Sequence, residues 1–340
     1  MFRNLDPSLY TDPAFFDRER RGIFARSWQH LGPRSQLAKR GDYIAADIAG
    51  AKIFVILSRD GELRGFKNVC RHRGAQLLAD GAGTCATIRC PYHQWVFSDT
   101  GALVTAPWFG DDPDFKSTDW PLEPIAVAVW RGLLFAAIDP VESLTDQLGD
   151  LVQELVNEPI ETYAATNADR VVFDANWKVY TDNFVEGYHI PGVHPAFFRA
   201  IDFEAFKTTA HRGFVRMTAP PREGLFYRGK WLWMWPNWTL SLFEGGMNTS
   251  RINPIAFDRT EQLYNFYFAD TSPENAATRE DTVTRNLAVV REDYEVCVGT
   301  HRNYASGSYR PGPLSPRHEA GVHYFQKRVL ESTDGHSAKP

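Results

Sequence analysis

Apolar positions along the chain change period repeatedly, and each change predicts a different element. From Asp12 to Trp28 the spacing of Phe15, Phe16, Ile23, Phe24 and Trp28 predicts a helix, with Asp12 as its cap and Pro13 in its first turn. From Gly41 to about Asp139 the pattern shifts to short β-type runs separated by turns. Ile53 to Leu57 is an unbroken apolar run that reads as a buried strand, and Asp60-Gly61 and Asp99-Thr100-Gly101 are turn signals. The longest apolar stretch, Ile125 to Ile138, is interrupted by Arg131-Gly132 and reads as two strands joined by a tight turn.

Beyond Val141 the pattern changes again. Glu142 to Val156 suits a helix, whereas Trp231 to Phe243 and Tyr264 to Phe268 are aromatic β-segments. Val283, Leu287, Val290, Tyr294 and Val298 recur at 4-3-4-4 spacing and predict one long amphipathic helix over Ala276 to Val298. The residues after Leu330 are expected to be a loose tail.

A chain of 340 residues holds one large or two ordinary domains, and 43% hydrophobic residues suffice for a sizeable core. The net charge of −5 argues against a nucleic-acid surface. Met1 to Pro13 is polar and broken by prolines, unlike a signal peptide, and the longest apolar stretch is too short to span a bilayer. Four cysteines at this length imply no disulfide framework, so Cys85 and Cys297 are expected to be reduced and the protein cytoplasmic.

The other two cysteines belong to a pattern that carries chemistry. Cys70-Arg71-His72 is followed after seventeen residues by Cys90-Pro91-Tyr92-His93. Zinc knuckles usually pair Cys-x2-Cys with His-x3-His. Here each loop instead brings one cysteine and one histidine in the same order. That set suits a [2Fe–2S] cluster with two cysteines on one iron and two histidines on the other, and neutral imidazoles raise its potential above that of an all-cysteine cluster.

A second constellation runs from Asn176 to Pro195. Asp182, Glu186 and His189 recur at i, i+4 and i+7, one face of a helix. His194 follows His189 by five residues, which on a continuous helix sets the two rings about 140° apart. Pro191-Gly192 is expected to break the helix and let His194 fold back beside His189. Two imidazoles and one carboxylate make the facial triad of non-haem Fe(II) oxygenases. The best candidate for the carboxylate is Asp293, on a stripe with Asn286, Val289 and Cys297, while Glu292 and Glu295 are expected on the solvated face. Asp182 is expected to orient a ligand histidine, and Asn183 to line the site.

Together these motifs resemble the Rieske non-haem iron oxygenases, in their terminal oxygenase (alpha) component, over nearly the whole chain. Cys70 to Gly74 and Cys90 to Trp95 match the cluster loops, with Gln94 where the family usually has glycine. Asn176 to Lys178 and Asp182 to Pro195 match the iron motif, and Glu292 to Cys297 the segment bearing the third ligand. The resemblance implies an α+β fold: a β-sandwich Rieske domain and a helix-grip (START/Bet v1-like) catalytic domain whose curved antiparallel sheet wraps helices around the iron. Expected boundaries are an N-terminal helical segment 1–38 packed on the catalytic domain, a Rieske domain 39–140, a catalytic domain 141–330 and a tail 331–340.

The resemblance further implies a homotrimer in which a cluster of one subunit serves the iron of the next. Glu186 would link a cluster histidine to an iron histidine. Electrons would come from NADH or NADPH through a flavin- or ferredoxin-type reductase, with O2 and a small molecule as substrates. The glutamate at position 186, the length and the segment Gly312 to Phe325 are similar to the carnitine, glycine betaine and stachydrine branch. Such enzymes oxidise carbon beside quaternary nitrogen, and Trp231, Trp233, Trp235, Trp238 and Phe243 are candidates for holding the cation, although most are expected to be core. The alternatives are an aromatic ring-hydroxylating oxygenase, which shares every metal ligand, and an electron-transfer ferredoxin, which needs only the cluster.

Overall fold

The computed structural model describes residues 2–222 and 227–334. The chain divides into two compact units, one from Ala25 to Val141 and the other from the N-terminus to Phe24 together with the chain from Glu142 onward.

The first unit is all β. Strands β1 (Gln29–Pro33), β2 (Asp42–Ile48), β3 (Ala51–Leu57), β4 (Leu63–Lys67), β5 (Gly81–Thr84), β9 (Pro124–Trp130) and β10 (Leu133–Ala137) form one sheet in the order β1-β10-β9-β4-β3-β2-β5. Strands β6 (Ile88–Arg89), β7 (Val96–Phe97) and β8 (Leu103–Thr105) form a second, smaller sheet. Arg131 and Gly132 both adopt left-handed backbone (φ 48° and 82°), so the turn between β9 and β10 is the tight hairpin the sequence predicts. The domain boundary differs from expectation. Residues 25–38 belong with this unit, because β1 pairs antiparallel with β10, from Gln29 opposite Ala136 to Pro33 opposite Leu133. Strand β10 is buried along its whole length and needs a partner on each edge.

The second unit begins with two short helices, α1 (Ser8–Thr11) and α2 (Pro13–Glu19), and a π-turn over Arg20–Phe24. Asp12 accepts from the Ala14 N–H and Pro13 opens α2, as predicted, but the helical segment stops four residues short of Trp28. Gly149, at φ 57°, likewise divides the helix expected over 142–156 into α3 (Leu144–Leu148) and α4 (Leu151–Glu154). A long curved sheet follows, built from β11 (Ala164–Phe173), β12 (Lys207–His211), β13 (Phe214–Thr218), β14 (Tyr227–Met234), β15 (Trp238–Phe243), β16 (Gly246–Ala256) and β17 (Arg259–Phe268) in the order β11-β17-β16-β15-β14-β13-β12. Every neighbouring pair is antiparallel. Helices α5 (Trp177–Phe184), α6 (Ile190–Val193), α7 (Pro195–Ala200), α8 (Ala276–Ala305) and α9 (Ala320–Asp334) complete the unit, with α5 packed on α8, α9 and strand β16.

The buried seam of α8 is not the apolar one. It runs Thr282, Asn286, Val290, Asp293, Cys297 and His301, whereas Val283, Leu287, Tyr294 and Val298 sit half-buried beside it. The helix is rolled by about one position, so that Asn286 and Asp293 of this seam, with Val289 and Val290, line a cavity. Helix α9 runs on to Asp334, so residues 331–334 of the expected tail are helical, and the remainder lies outside the described residues. No helix among the described residues is long and apolar enough to cross a membrane.

The N-terminal helices are clipped to α5 by charge. Lys178 Nζ lies 2.6 Å from Glu19 Oε1, both side chains wholly buried, and Trp177 Nε1–H donates to Glu19 Oε2 at 3.1 Å. Desolvation draws both groups toward neutrality, raising Glu19 and lowering Lys178. Removing one partner strands a buried charge, so Lys178→Met is expected to destabilise the unit by about 3–5 kcal/mol, and adding Glu19→Gln to recover part of that loss. Denaturant midpoints of the single and double variants check this.

Candidate active site and cluster loops

The two cluster loops are built alike. Cys70 N–H donates to the Ala75 carbonyl (2.8 Å) and Gly74 N–H to the Cys70 carbonyl (3.0 Å). Cys90 N–H donates to the Trp95 carbonyl (2.8 Å) and Gln94 N–H to the Cys90 carbonyl (3.2 Å). Gly74 and Gln94 therefore occupy the same left-handed place, at φ 74° and 61°. Glycine tolerates it, whereas Gln94 carries strain of about 1 kcal/mol, which is the physical content of its departure from the family pattern.

Cys70 and Cys90 are buried in a core with Phe54, Phe66, Trp95 and Phe97, while His72 and His93 are half-buried at its edge. The two Nδ1 atoms lie 3.1 Å apart, and Trp95 stacks on His72 at 4.8 Å and 7°. Desolvation, with Cys90 beside it, raises the Cys70 thiol, so ionisation there needs the positive charge that iron supplies. Desolvation, with His72 and Arg73 as like charges, lowers His93 and favours the neutral ring that ligates metal. Sulfur donors inside and nitrogen donors outside fit a [2Fe–2S] group.

The second site stands where α5 ends. Expectation placed Asp182, Glu186 and His189 on one helix face with a break at Pro191-Gly192. The helix ends earlier, at Phe184, and Pro191 instead lies in the first turn of α6. Gly187 leaves room for the Phe206 ring, which a side chain there would meet at 2.3 Å. The Glu186 carboxylate closes it by accepting from the Tyr188 and His189 N–H groups.

This early stop brings His189, His194 and Asp293 together, with ligand atoms within 4.8 Å of one another. His194 Nε2 is 2.9 Å and His189 Nε2 3.6 Å from the same Asp293 Oδ1, to which Asn183 Nδ2 also donates at 2.8 Å. The remote nitrogens are held as well. His189 Nδ1–H donates to Glu186 Oε1 and His194 Nδ1–H to Glu292 Oε2, each at 2.6 Å. Burial disfavours charge on His194, but Asp293 and Glu292 outweigh it and raise its pKa. The donor set, with both Nδ1 positions fixed and both Nε2 atoms directed at one carboxylate, fits a single ferrous ion.

One expectation is corrected here. Asp182 does not orient a ligand histidine in this structure. Its carboxylate accepts from Tyr10 Oη (2.6 Å) and Gln326 Nε2 (3.0 Å) instead. Glu292 is exposed, as expected, yet its carboxylate also reaches His194, a contact the sequence did not show. Its side chain is half-exposed, so polarity along α8 gave no signal, and only the position of His194 reveals it.

Beside the metal ligands lies a cavity of about 80 Å³. Phe197, Tyr227 and Trp231 form one corner, ring centroids 5.3–6.0 Å apart and mutually edge-on, and Phe197 adjoins His194. Of the aromatics singled out in the sequence, Trp231 lines this space, whereas Trp233, Trp235, Trp238 and Phe243 are buried outside its lining.

Residues 27–116 match the Rieske [2Fe-2S] domain, and residues 160–224 and 206–335 match the catalytic domain of the ring-hydroxylating alpha subunit. The chain belongs to the ring-hydroxylating alpha-subunit family of Rieske oxygenases. It is an oxidoreductase built for a Rieske cluster and a mononuclear iron. It is 30% identical to the carnitine monooxygenase oxygenase subunit of Escherichia coli K12, over 89% of this chain and 84% of that one. To the chloroplastic choline monooxygenase of Atriplex hortensis it is 26% identical, over 94% and 75%. The quaternary ammonium Rieske monooxygenase CntA in complex with L-carnitine superposes with a TM-score of 0.86 at 28% identity, covering 97% of this chain and 96% of that one. Naphthalene 1,2-dioxygenase from Rhodococcus, at 23% identity and a TM-score of 0.79, shares the fold.

Asp182 is raised to about 7, first by desolvation, against the hydrogen bonds that lower it. Since this exceeds its ordinary 3.8, the native state holds the proton more tightly. Its contribution to stability is therefore full below pH 4 and is lost as pH rises through about 7. Asp182→Asn is expected to flatten that slope, read as the difference in thermal midpoint from wild type between pH 5 and 8. Glu292→Ala is expected to weaken iron retention about 10–100-fold while cluster absorption persists. Iron content after graded chelation checks this.

Proposed function

We propose that this chain is the terminal oxygenase of a multicomponent system that hydroxylates or N-dealkylates a small quaternary-amine substrate. The observation that carries the reading is the aromatic corner of Phe197, Tyr227 and Trp231 beside His194. Aromatic faces attract a desolvated ammonium and, unlike a carboxylate, do so without hydrogen-bonding it. The relatives named for carnitine and choline support the same class.

His189, His194 and Asp293 hold the ferrous ion in this reading, and Cys70, His72, Cys90 and His93 hold the cluster. When bound, the iron activates O2 and the cluster supplies single electrons. In sum, one oxygen atom enters a C–H bond beside nitrogen and the other leaves as water, with two electrons and two protons consumed. Carbon hydroxylated beside nitrogen then releases an aldehyde and an amine as the C–N bond breaks. The chain's own residues fix the geometry. Glu186 and Glu292 keep each ring's Nε2 aimed inward, Asn183 steadies Asp293, and the aromatic corner sets the cation beside His194.

Glu186 also links His189 to the approaching electron donor, a cluster histidine of a neighbouring subunit in a homotrimer. Inter-subunit electron transfer has been described for CntA. A cytoplasmic flavin- or ferredoxin-type reductase fed by NADH or NADPH completes the system.

His189→Ala is expected to lose iron and turnover yet keep the Rieske absorption and EPR signal. Trp231→Leu is expected to lower kcat/KM for a trimethylammonium substrate by about tenfold. Aldehyde release and oxygen uptake, assayed with a reductase against quaternary amines and aromatic acids, decide the reading. Oxygen-coupled turnover of the acids alone would refute it.

A further inference from the structure

The cavity holds two buried amides with unused hydrogen-bonding capacity. Asn248 stands in a cross-strand row, Met217–Trp231–Ser241–Asn248, whose four side chains all line the space. Asn286 lies on α8 seven residues before Asp293, two turns or about 10 Å along the axis from the metal-site end. Its Nδ2 donates to the Tyr227 hydroxyl. That leaves Asn286 Oδ1 buried without a partner among the described residues, and Asn248 Nδ2 is in the same condition. Both side chains are at most 2% exposed. Buried polar groups are seldom left unpaired, so a donor and an acceptor that both line a cavity mark a place for a ligand group.

We propose that Asn248 and Asn286 form a neutral recognition subsite, and that the substrate carries an uncharged hydroxyl or amide on the arm leading away from its quaternary nitrogen. This rests on the quaternary-amine reading above and narrows it. A hydroxyl or a primary or secondary amide both donates and accepts, so it complements a free Oδ1 and a free Nδ2 together. A carboxylate only accepts. It would satisfy Asn248 and set its charge against the lone pairs of Asn286. The charged carboxylates among the described lining are Glu186 and Asp293, and no lysine or arginine there offers a ligand carboxylate a partner. The arrangement along the cavity is consistent. His194 adjoins Phe197, Phe197 adjoins Tyr227, and Tyr227 bonds Asn286, so the neutral subsite follows the aromatic corner on the side away from the ligands.

Calorimetric titration of the holoenzyme, with cluster and iron content verified, tests this with three probes: tetramethylammonium, 2-hydroxyethyl-trimethylammonium and carboxymethyl-trimethylammonium. The hydroxyethyl compound is expected to bind at least about tenfold tighter than the carboxymethyl compound. In Asn286→Leu, and independently in Asn248→Leu, its advantage over tetramethylammonium is expected to shrink toward one. The second variant keeps the test intact if the first fails to load metal. Equal or tighter binding of the carboxymethyl compound overturns the subsite while leaving the quaternary-amine reading in place. An advantage unchanged in both variants also overturns it. Failure of all three probes, tetramethylammonium included, overturns the amine reading and the subsite with it.

Discussion

Two glutamates decide which nitrogen of each iron-site histidine is free. A carboxylate can only accept, so Glu186 and Glu292 fix the hydrogen on Nδ1 of His189 and His194 and leave Nε2 for the metal. Each ring is thereby set in both tautomer and orientation before a metal arrives. The arrangement depends on where α5 stops. Continuing the helix past Phe184 would carry Glu186 and His189 round the same cylinder, and His194 would leave on another face. Ending it at Phe184 lets one carboxylate, Glu186, accept from the backbone of the turn and clamp the ring three residues on.

The curved sheet supplies the other half of the site. Its strands are antiparallel, so side chains alternate faces, and a single cross-strand row turns Met217, Trp231, Ser241 and Asn248 to the cavity while Leu232, Leu240 and Leu242 remain in the core. Helix α8 presents its polar seam to the same space. This explains why an apparently poor helix, with asparagine, aspartate and histidine buried along it, is well placed. Local apolar pattern and site chemistry conflict here, and the site prevails because sheet and flanking half-buried residues supply the packing.

The legible and illegible parts of the sequence divide along the same line. The cluster ligands were readable because each pair sits within one short loop, where spacing is geometry. The hairpin at Arg131-Gly132 and the cap at Asp12 were readable for the same reason. Asp293 was legible only as the best candidate on its stripe with Asn286 and Cys297, supported by the resemblance of Glu292 to Cys297, and the structure brings it beside His189 and His194. Asp182 was assigned to a ligand histidine by assuming that α5 stays regular to His189, whereas the helix stops before Glu186 and His189 and Asp182 bonds Tyr10 and Gln326 instead. Glu292 was missed because its partner is nearly a hundred residues away, and a half-exposed glutamate beside an aspartate looks like any solvated pair.

Charge near the metal site also constrains what the cavity can receive. Asp293, Glu186 and Glu292 bring three carboxylates to two neutral imidazoles, so a ferrous ion leaves the centre slightly negative. A unit of residual charge roughly 8 Å from a ligand, at an effective dielectric of about 20, favours a cation over a neutral molecule by about 2 kcal/mol and opposes an anion equally. That bias acts on the whole ligand, whereas the aromatic corner acts on one group. A cation drawn in by the field and seated against Phe197, Tyr227 and Trp231 must still be turned so that the correct carbon faces the ligands. Neither the field nor the rings have the directionality to do this, since an ammonium surrounded by methyl groups is nearly spherical. Orientation therefore falls to hydrogen bonds made by the rest of the molecule, and in this cavity neutral amides and hydroxyls are the groups placed to make them.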